Sequence, residues 1–216
     1  MGVLGLRGVD LKSGELKGIR AARPVAALQR HAMMLVLLLS SLAASDRAQA
    51  ACAPTSPVNN ATVTCTGTTS GQNGNTGYGS LTDSGNTINV LSGASVTGID
   101  TGVQLHDGTV NNAGTISVTN FSGVVAVTDL TVNNSGKIFG GTGAFAVAAG
   151  GILNLTNSGT LIATTNQPAI TAFTANVFNS GTVSGGTRAI SANNINLTNS
   201  GVMSGSDSVI FGVDVR

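Results

Sequence analysis

Apolar residues after residue 50 occur in short clusters whose members lie two positions apart, with threonine, serine or asparagine between them. This period of two is typical of a β-strand with one buried face, because successive side chains of a strand point to opposite sides. No segment after residue 50 sustains the 3.6-residue period of an amphipathic helix. The pattern therefore predicts an all-β structure.

The clusters belong to an internal repeat marked by the phrase Asn-Ser/Ala-Gly. Five copies and a degenerate sixth begin at Asn112, Asn134, Asn157, Asn179, Asn199 and, for the sixth, Leu91. In chain order the copies begin 21, 22, 23, 22 and 20 residues apart. Each unit has an apolar cluster before the phrase, another just after it, and a third further on. In the third cluster the pattern predicts these buried positions: Val125, Val127, Phe145, Val147, Ile170, Ala172, Ile190, Ala192, Ile210.

Three short strands per repeat, without helices between them, predict a parallel β-helix. We expect about six coils of 20–23 residues each over residues 90–216, preceded by an N-terminal cap over residues 51–89. Successive coils would stack about 4.8 Å apart, so that like residues form columns, aliphatic inside and polar outside. Hexapeptide solenoids, calcium-binding nonapeptide solenoids and leucine-rich repeats fit less well, because the repeat length or the signature residues differ.

The phrase asparagines are predicted to form a ladder at one corner of the β-helix. Stacked amides can pass hydrogen bonds from coil to coil and satisfy polar groups that a turn leaves unpaired. The alternative, exposed turn residues or glycosylation sites, does not require a fixed spacing. The phrase glycine is expected to supply a positive φ angle in the turn. The predicted ladder consists of Asn112, Asn134, Asn157, Asn179 and Asn199.

Charge is sparse and unevenly distributed. Residues 51–216 contain three basic residues, Lys137, Arg188 and Arg216, and no glutamate. The acidic residues of this segment are Asp83, Asp100, Asp107, Asp129, Asp207 and Asp214. This composition excludes a nucleic-acid-binding surface, which needs clustered cations facing phosphates.

The first 50 residues have the pattern of an extended signal peptide. Arg20, Arg23 and Arg30 precede an apolar stretch over residues 32–44, and Ala48-Gln49-Ala50 follows it with small residues where a signal peptidase cleaves. The apolar stretch is shorter than the roughly 20 residues that a membrane-spanning helix needs. The basic segment before it is unusually long, so either the true start codon lies further downstream or the signal peptide belongs to the extended type.

Cys52 and Cys65, the only cysteines, follow this segment closely. A single pair in an exported chain predicts a disulfide, because oxidising compartments preserve the bond. We expect this disulfide to tie the cap and to stabilise it by about 2–4 kcal/mol.

Candidate catalytic chemistry is limited to a few aspartates. Asp107 and Asp129 fall within one residue of the same repeat register and could stack on adjacent coils, with His106 beside Asp107. Polysaccharide-cleaving β-helices use such carboxylates, but here no basic residue shares the register nearby. Asp83, Asp100, Asp107 and Asp129 are better interpreted as solvated turn residues than as catalytic acids. We therefore assign no catalytic residue. We also expect no metal, which needs three or four ligands, and no cofactor.

The extended signal peptide, the pair Cys52 and Cys65 near the mature N-terminus, and the repeated Asn-Ser-Gly units together resemble the passenger domain of a bacterial autotransporter. The resemblance implies a right-handed β-helix, export from a Gram-negative cell, and outer-membrane translocation by a C-terminal β-barrel. After Met203 the sequence lacks the alternating strands of such a barrel. We therefore expect a truncated passenger without its barrel, or alternatively a free-standing exported solenoid.

Two functions follow as expectations. The first is a non-catalytic structural or adhesive surface module, found in the periplasm, at the cell surface or at the outer membrane. Its partners would be surface glycans or proteins, not nucleic acid, and its membrane association would require the missing barrel. The second is a secreted polysaccharide-active enzyme, a lyase or glycoside hydrolase.

Overall fold

The chain winds into a parallel β-solenoid, in agreement with the all-β prediction. The structure, a computed structural model, describes residues 51–212, 214 and 215, and within these ranges it contains no helix. The predicted signal peptide lies outside the described residues.

The strands are short, apart from two that are 10 residues long. Their bounds are β1 (Cys52–Ala53), β2 (Thr62–Cys65), β3 (Thr68–Ser70), β4 (Thr76–Gly79), β5 (Asn86–Val90), β6 (Ser95–Gly98), β7 (Thr101–Leu105), β8 (Gly108–Asn112), β9 (Thr115–Val118), β10 (Val124–Ala126), β11 (Leu130–Asn134), β12 (Lys137–Gly140), β13 (Val147–Ala149), β14 (Ile152–Asn157), β15 (Thr160–Ala163), β16 (Ile170–Asn179), β17 (Thr182–Ser184), β18 (Ile190–Asn199), β19 (Val202–Ser204), β20 (Ile210–Phe211) and β21 (Asp214–Val215).

Each coil contributes one strand to each of three faces. The first face contains β2, β5, β8, β11, β14, the second halves of β16 and β18, and β21, which begins a further coil. The second face is the seven-stranded sheet β3-β6-β9-β12-β15-β17-β19. The third face contains β4, β7, β10, β13, the first halves of β16 and β18, and β20. The first and third faces share one sheet, because β16 and β18 pass through the corner between them without a break.

The solenoid has about seven coils, one more than the sequence predicts. The additional coil is formed by β2, β3 and β4, which pair in parallel with β5, β6 and β7 of the next coil. This coil lies within residues 51–89, the segment that the sequence assigns to the cap. The Asn-Ser/Ala-Gly phrase does not mark it, because Cys65 stands at the position of the phrase asparagine.

Inward-facing aliphatic residues form continuous columns through the coils. One column of the first face, fully or almost fully buried, contains Val63, Ile88, Val110, Val132, Leu155 and Val177. β-Branched residues dominate these columns because they fit a pleated surface that is half buried. Burying each such side chain stabilises the fold by about 1.5–3 kcal/mol.

On the third face, the predicted inward-facing positions of the third coil are wrong by one residue. Val124 and Ala126 are buried there, whereas Val125 is half-buried and Val127 is exposed. The run from Val124 to Val127 is apolar at every position, so its own pattern does not specify which residues point inward. Pairing of Val124 with Val103 decides the register, and a shift of one residue reverses every side chain of a strand.

In the next coil, Val147 is buried as predicted. Its predicted partner, Phe145, lies before the strand and is only half-buried, and Ala149 takes the inward position. Val147 pairs with Val124 on one side and Ile170 on the other, which places it in the inward column. The column again decides which residues are buried.

The phrase glycine has the predicted positive φ angle only in the degenerate copy, 79° at Gly93, and in the copies that contain asparagine it is required for another reason. Gly136, Gly159 and Gly181 have negative φ angles, so the turn does not need a left-handed residue. Each stacks closely on the equivalent glycine of the preceding coil. A methyl carbon added at Gly159 would overlap the carbonyl oxygen of Gly136. Glycine is therefore the residue that permits adjacent corners to approach each other closely.

The first residues of the described chain close the N-terminal end of the solenoid. β1 pairs antiparallel with β2, and the predicted disulfide joins Cys52 to Cys65. Tyr78, which is fully buried, donates a hydrogen bond of 2.8 Å from its hydroxyl to the carbonyl oxygen of Pro54. The backbone N–H of Asn60 donates to the carbonyl oxygen of Ser84. Covering this end matters because exposed strand edges promote aggregation.

We predict that Gly159→Ala destabilises the solenoid by about 1–3 kcal/mol, the usual cost of inserting a methyl group into a well-packed site. Urea unfolding followed by circular dichroism measures the loss. The matched control is Ser158→Ala at the exposed neighbouring position, which should change stability by less than about 0.5 kcal/mol. Equal stabilities of the two variants would contradict the close approach of the corners.

We predict that Tyr78, the only tyrosine, loses its hydroxyl proton at a higher pH than an ordinary tyrosine does. Burial, and secondarily the nearby charge of Asp83, raise its pKa to about 12 from the usual 10.0. The unfolded chain releases this proton at lower pH, so stability from Tyr78 is complete below pH 10.0 and is lost as the pH rises through about 12. Ultraviolet absorbance should show one ionisation near pH 12, coupled to unfolding.

The control for this titration is Tyr78→Phe. This variant loses the hydrogen bond to Pro54 at every pH but should not show the alkaline loss of stability that the tyrosine causes. Ionisation of Tyr78 in the folded chain at the usual tyrosine pKa would contradict the burial argument.

Candidate functional site

An internal ladder of asparagine side chains runs along the corner after the first face. Asn112, Asn134, Asn157, Asn179 and Asn199 pair in register on successive coils. The Nδ2 of each of the first four donates to the Oδ1 of the next, at 2.8, 2.7, 2.7 and 2.7 Å. The structure thus brings together all five residues of the ladder that the sequence predicts.

The ladder faces the interior and not solvent. Asn112, Asn134, Asn157 and Asn179 are at most 2% exposed, while Asn199 is exposed. Each buried amide also donates to backbone carbonyl oxygens. For example, the Nδ2 of Asn112 donates to the backbone carbonyl oxygen of Lys137 at 3.1 Å. A buried amide without partners would destabilise the fold, and these amides are satisfied.

Two further ladders on the outer surface of the first face were not predicted. In one, Asn133 donates to Asn111 and Asn111 donates to Asn89, both at 2.8 Å. In the other, donation runs from Asn196 to Asn176 at 2.7 Å and from Asn176 to Asn154 at 2.9 Å. The repeat spacing contains the signal for both: these asparagines recur one and three residues before the buried ladder column.

The outward side of the first face is consequently an array of uncharged polar residues. Its two columns contain only threonine and asparagine, except for Phe178. The first column is Thr62, Thr87, Thr109, Thr131, Asn154, Asn176 and Asn196, and the second is Thr64, Asn89, Asn111, Asn133, Thr156, Phe178 and Thr198. Strand geometry spaces the members of a column about 4.8 Å apart.

A groove with a volume of about 380 Å³ follows the edge of this array. One wall is the second column, from Thr64 to Thr156, and the other is the outward corner residues Leu91, Ala113, Ser135 and Ser158. The groove therefore runs along the solenoid axis and crosses the first five coils. None of the residues that line it is charged. We call it the corner groove.

Asp107 and Asp129 lie on adjacent coils at the opposite edge of the first face. They precede Gly108 and Leu130, which pair in register. The Asp107 carboxylate accepts hydrogen bonds from the Ser84 hydroxyl at 2.6 Å and the Gly85 N–H at 2.8 Å, both in the preceding coil. Asp129 instead accepts the N–H of Ile152, in the following coil, at 2.8 Å. Each carboxylate thus connects a different pair of coils.

The electrostatics of Asp107 do not suit a general acid. The hydrogen bonds from Ser84, His106 and Gly85 lower the pKa of its carboxyl below the usual 3.8. Its oxygen lies 2.9 Å from the Nδ1 of the half-exposed His106. Glycoside hydrolysis needs one carboxyl with a raised pKa to protonate the leaving group. Asp107 is ionised at neutral pH and cannot supply that proton.

The other two candidate acids also make structural contacts. Asp100 accepts hydrogen bonds from Asn75 at 2.9 Å and from Asn120 at 3.1 Å, on the coils before and after it. Asp83 is fully buried, and its Oδ1 accepts a hydrogen bond of 2.6 Å from Ser80. The structure does not gather these aspartates into one cluster. In the described part of the chain, no group of three or more potential ligands could hold a metal ion.

Among the described residues, the cationic side chains Arg188 and Lys137 form no ion pair with Asp107 or Asp129. Arg188 lies with its guanidinium 4.7 Å from the centre of the Phe211 ring and donates from Nε to Ser208. Lys137 is exposed on the second face.

Over residues 51–212, 214 and 215 there is no helix that could cross a membrane.

Comparison with known proteins found no matching family model, no matching curated protein and no matching solved structure. The function therefore has to be argued from the residues and their geometry.

We predict that Asn157→Ala lowers the free energy of unfolding by about 1–3 kcal/mol, because it removes one hydrogen-bond partner from the buried amide of Asn134 and one from that of Asn179. The matched control, Asn176→Ala, removes the middle of an exposed ladder, where water replaces the lost hydrogen bonds, and should change stability by less than about 0.5 kcal/mol. Urea unfolding measures both. Similar losses in the two variants would show that burial does not distinguish the ladders.

Proposed function

We propose that the chain is an exported cell-surface β-solenoid, a passenger fragment of an autotransporter, and that it serves as a structural or adhesive module without catalytic activity. The observation that carries this proposal is the threonine and asparagine array, which continues over all seven coils of the first face without a charged side chain. Such an array offers many equivalent weak contacts, as adhesion requires, and no reactive group.

The disulfide supports the exported location. Cys52 is the second residue after the predicted cleavage site, and it is bonded to Cys65. The bond closes the end of the solenoid, and oxidising compartments favour such bonds whereas the cytosol reduces them. The signal peptide pattern of residues 1–50 is consistent with the same destination.

A second candidate function is a secreted polysaccharide-active enzyme. The stacking of Asp107 and Asp129 on adjacent coils, beside a shallow groove, favours it. The lowered pKa of Asp107 and the engagement of both carboxylates in coil-to-coil hydrogen bonds weigh against it. We therefore place the adhesive module first.

Export is tested by expressing the full chain in a Gram-negative bacterium and assaying thiols in cell fractions. The chain should be recovered outside the cytoplasm with no reactive thiol. Replacing Leu37 and Leu38 by Asp interrupts the apolar stretch, and this variant should remain in the cytoplasm with two reduced cysteines. The control, Leu81→Asp, changes an exposed leucine of the solenoid and should leave export intact. A reduced, cytoplasmic unmodified chain would refute the proposal.

The enzymatic alternative is tested by incubating the full chain with bacterial and plant polysaccharides and measuring reducing ends and unsaturated products. The adhesive module should release neither. Release that is abolished by both Asp107→Asn and Asp129→Asn would establish the enzyme instead.

A further inference from the structure

The corner groove has a repeating structure that the proposed function does not specify. Each of the five coils it crosses contributes one threonine or asparagine of the second column, and the four after the first also contribute one corner residue. Because coils are about 4.8 Å apart, five of them span roughly 19 Å along the solenoid axis. An occupant that matches this groove is a linear chain whose units repeat at nearly the coil spacing.

The lining combines one polar wall with a second wall that is partly apolar. Asn89, Asn111 and Asn133 present amides along one side, while Leu91 and Ala113 present hydrocarbon on the other. Leu91 is 44% exposed. A sugar ring has the complementary chemistry, with hydroxyl groups at its edges and C–H groups on its faces. Ligand sites commonly have this mixture of apolar surface and a few directed polar groups.

We propose that the corner groove binds a neutral, linear polysaccharide that lies parallel to the solenoid axis, with one sugar per coil. This inference rests on the proposed adhesive function and names its ligand. The sugar hydroxyls exchange hydrogen bonds with the outer amides of Asn89, Asn111 and Asn133, and ring faces rest on the opposite wall where Leu91 and Ala113 present hydrocarbon.

The charges of the surface specify a neutral ligand. An acidic polysaccharide requires cations, yet no cation lines the groove, and Lys137 lies on the second face beyond the corner. The nearest acidic residues along the groove-lining strands are Asp107 and Asp129, which lie four residues before Asn111 and Asn133, about 13 Å along an extended strand. No charged side chain therefore lines the groove itself.

An extended peptide is a weaker fit. Peptides that add to sheets do so at an edge, where backbone N–H and C=O groups are free. The strands that carry the groove already pair with neighbours on both sides in coils two to five. The groove thus offers side-chain amides but no backbone groups for a peptide to pair with.

The test measures binding of cello-oligosaccharides of increasing length to the full chain by titration calorimetry. Affinity should rise with each added sugar and stop rising near five sugars, one for each coil of the groove. Sulfated and uronic acid oligosaccharides of equal length, and an extended peptide, serve as competing ligands. Failure of every neutral oligosaccharide to bind, tighter binding of an acidic one or of the peptide, or affinity that is independent of length would overturn the inference.

Ala113→Arg places a long side chain in the groove at an exposed corner position and should weaken binding by about tenfold, or about 1.4 kcal/mol. The matched control is Ser200→Arg, at the equivalent exposed position of the last coil, outside the groove, and it should bind like the unmodified chain. Circular dichroism verifies that both variants fold. Equal binding by both variants would overturn the assignment to this groove.

The export test and the binding test can refute the proposed function and the proposed ligand independently of each other. If the chain is exported but binds no neutral oligosaccharide, the adhesive function stands and only the proposed ligand is excluded. If the chain binds the oligosaccharide but remains reduced in the cytoplasm, the proposed function as an exported module is refuted.

Discussion

Parallel backbone pairing between equivalent positions of successive coils is the constraint from which the rest of the structure follows. The chain must return after each coil to within one strand spacing, about 4.8 Å, of where it began. At this distance every side chain touches its counterparts above and below, so each column has to contain residues that tolerate their own kind as neighbours. Aliphatic residues satisfy this condition inside, and threonine and asparagine satisfy it outside. Charged residues of one sign do not, because they repel.

The same constraint explains the phrase at the corner. Where the backbone turns, amide and carbonyl groups lose their regular partners, and a buried asparagine supplies both a donor and an acceptor at the coil spacing. The glycine that follows two residues later lets the corners stack without a collision of Cβ with carbonyl oxygen. Asp100, Asp107 and Asp129 lie where their carboxylates accept hydrogen bonds from N–H or O–H donors of adjacent coils.

Most of the fold can be predicted from the sequence because the repeat averages over many coils. The strand period, the parallel stacking, the disulfide and the buried asparagine column depend on patterns that recur at a fixed spacing. The prediction is wrong where one segment had to be interpreted alone. Val124 to Val127 lacks polar residues to mark its faces, and Cys65 replaces the asparagine that identifies a coil. The groove could not be predicted, because it depends on how a corner projects beside a face.

The corner of the second coil shows how such a chain can acquire new loops. Five residue steps separate Val90 from Ser95, whereas three separate Asn112 from Thr115 at the same place in the next coil. The extra residues lie in the exposed segment Leu91 to Gly93, and the strands on either side keep their register. Insertions at corners therefore change the surface while the columns stay aligned, whereas a single residue inserted within a strand would turn half of that strand inside out. A lineage of such proteins can diversify its loops at the corners, and can gain or lose whole coils, without having to redesign its interior.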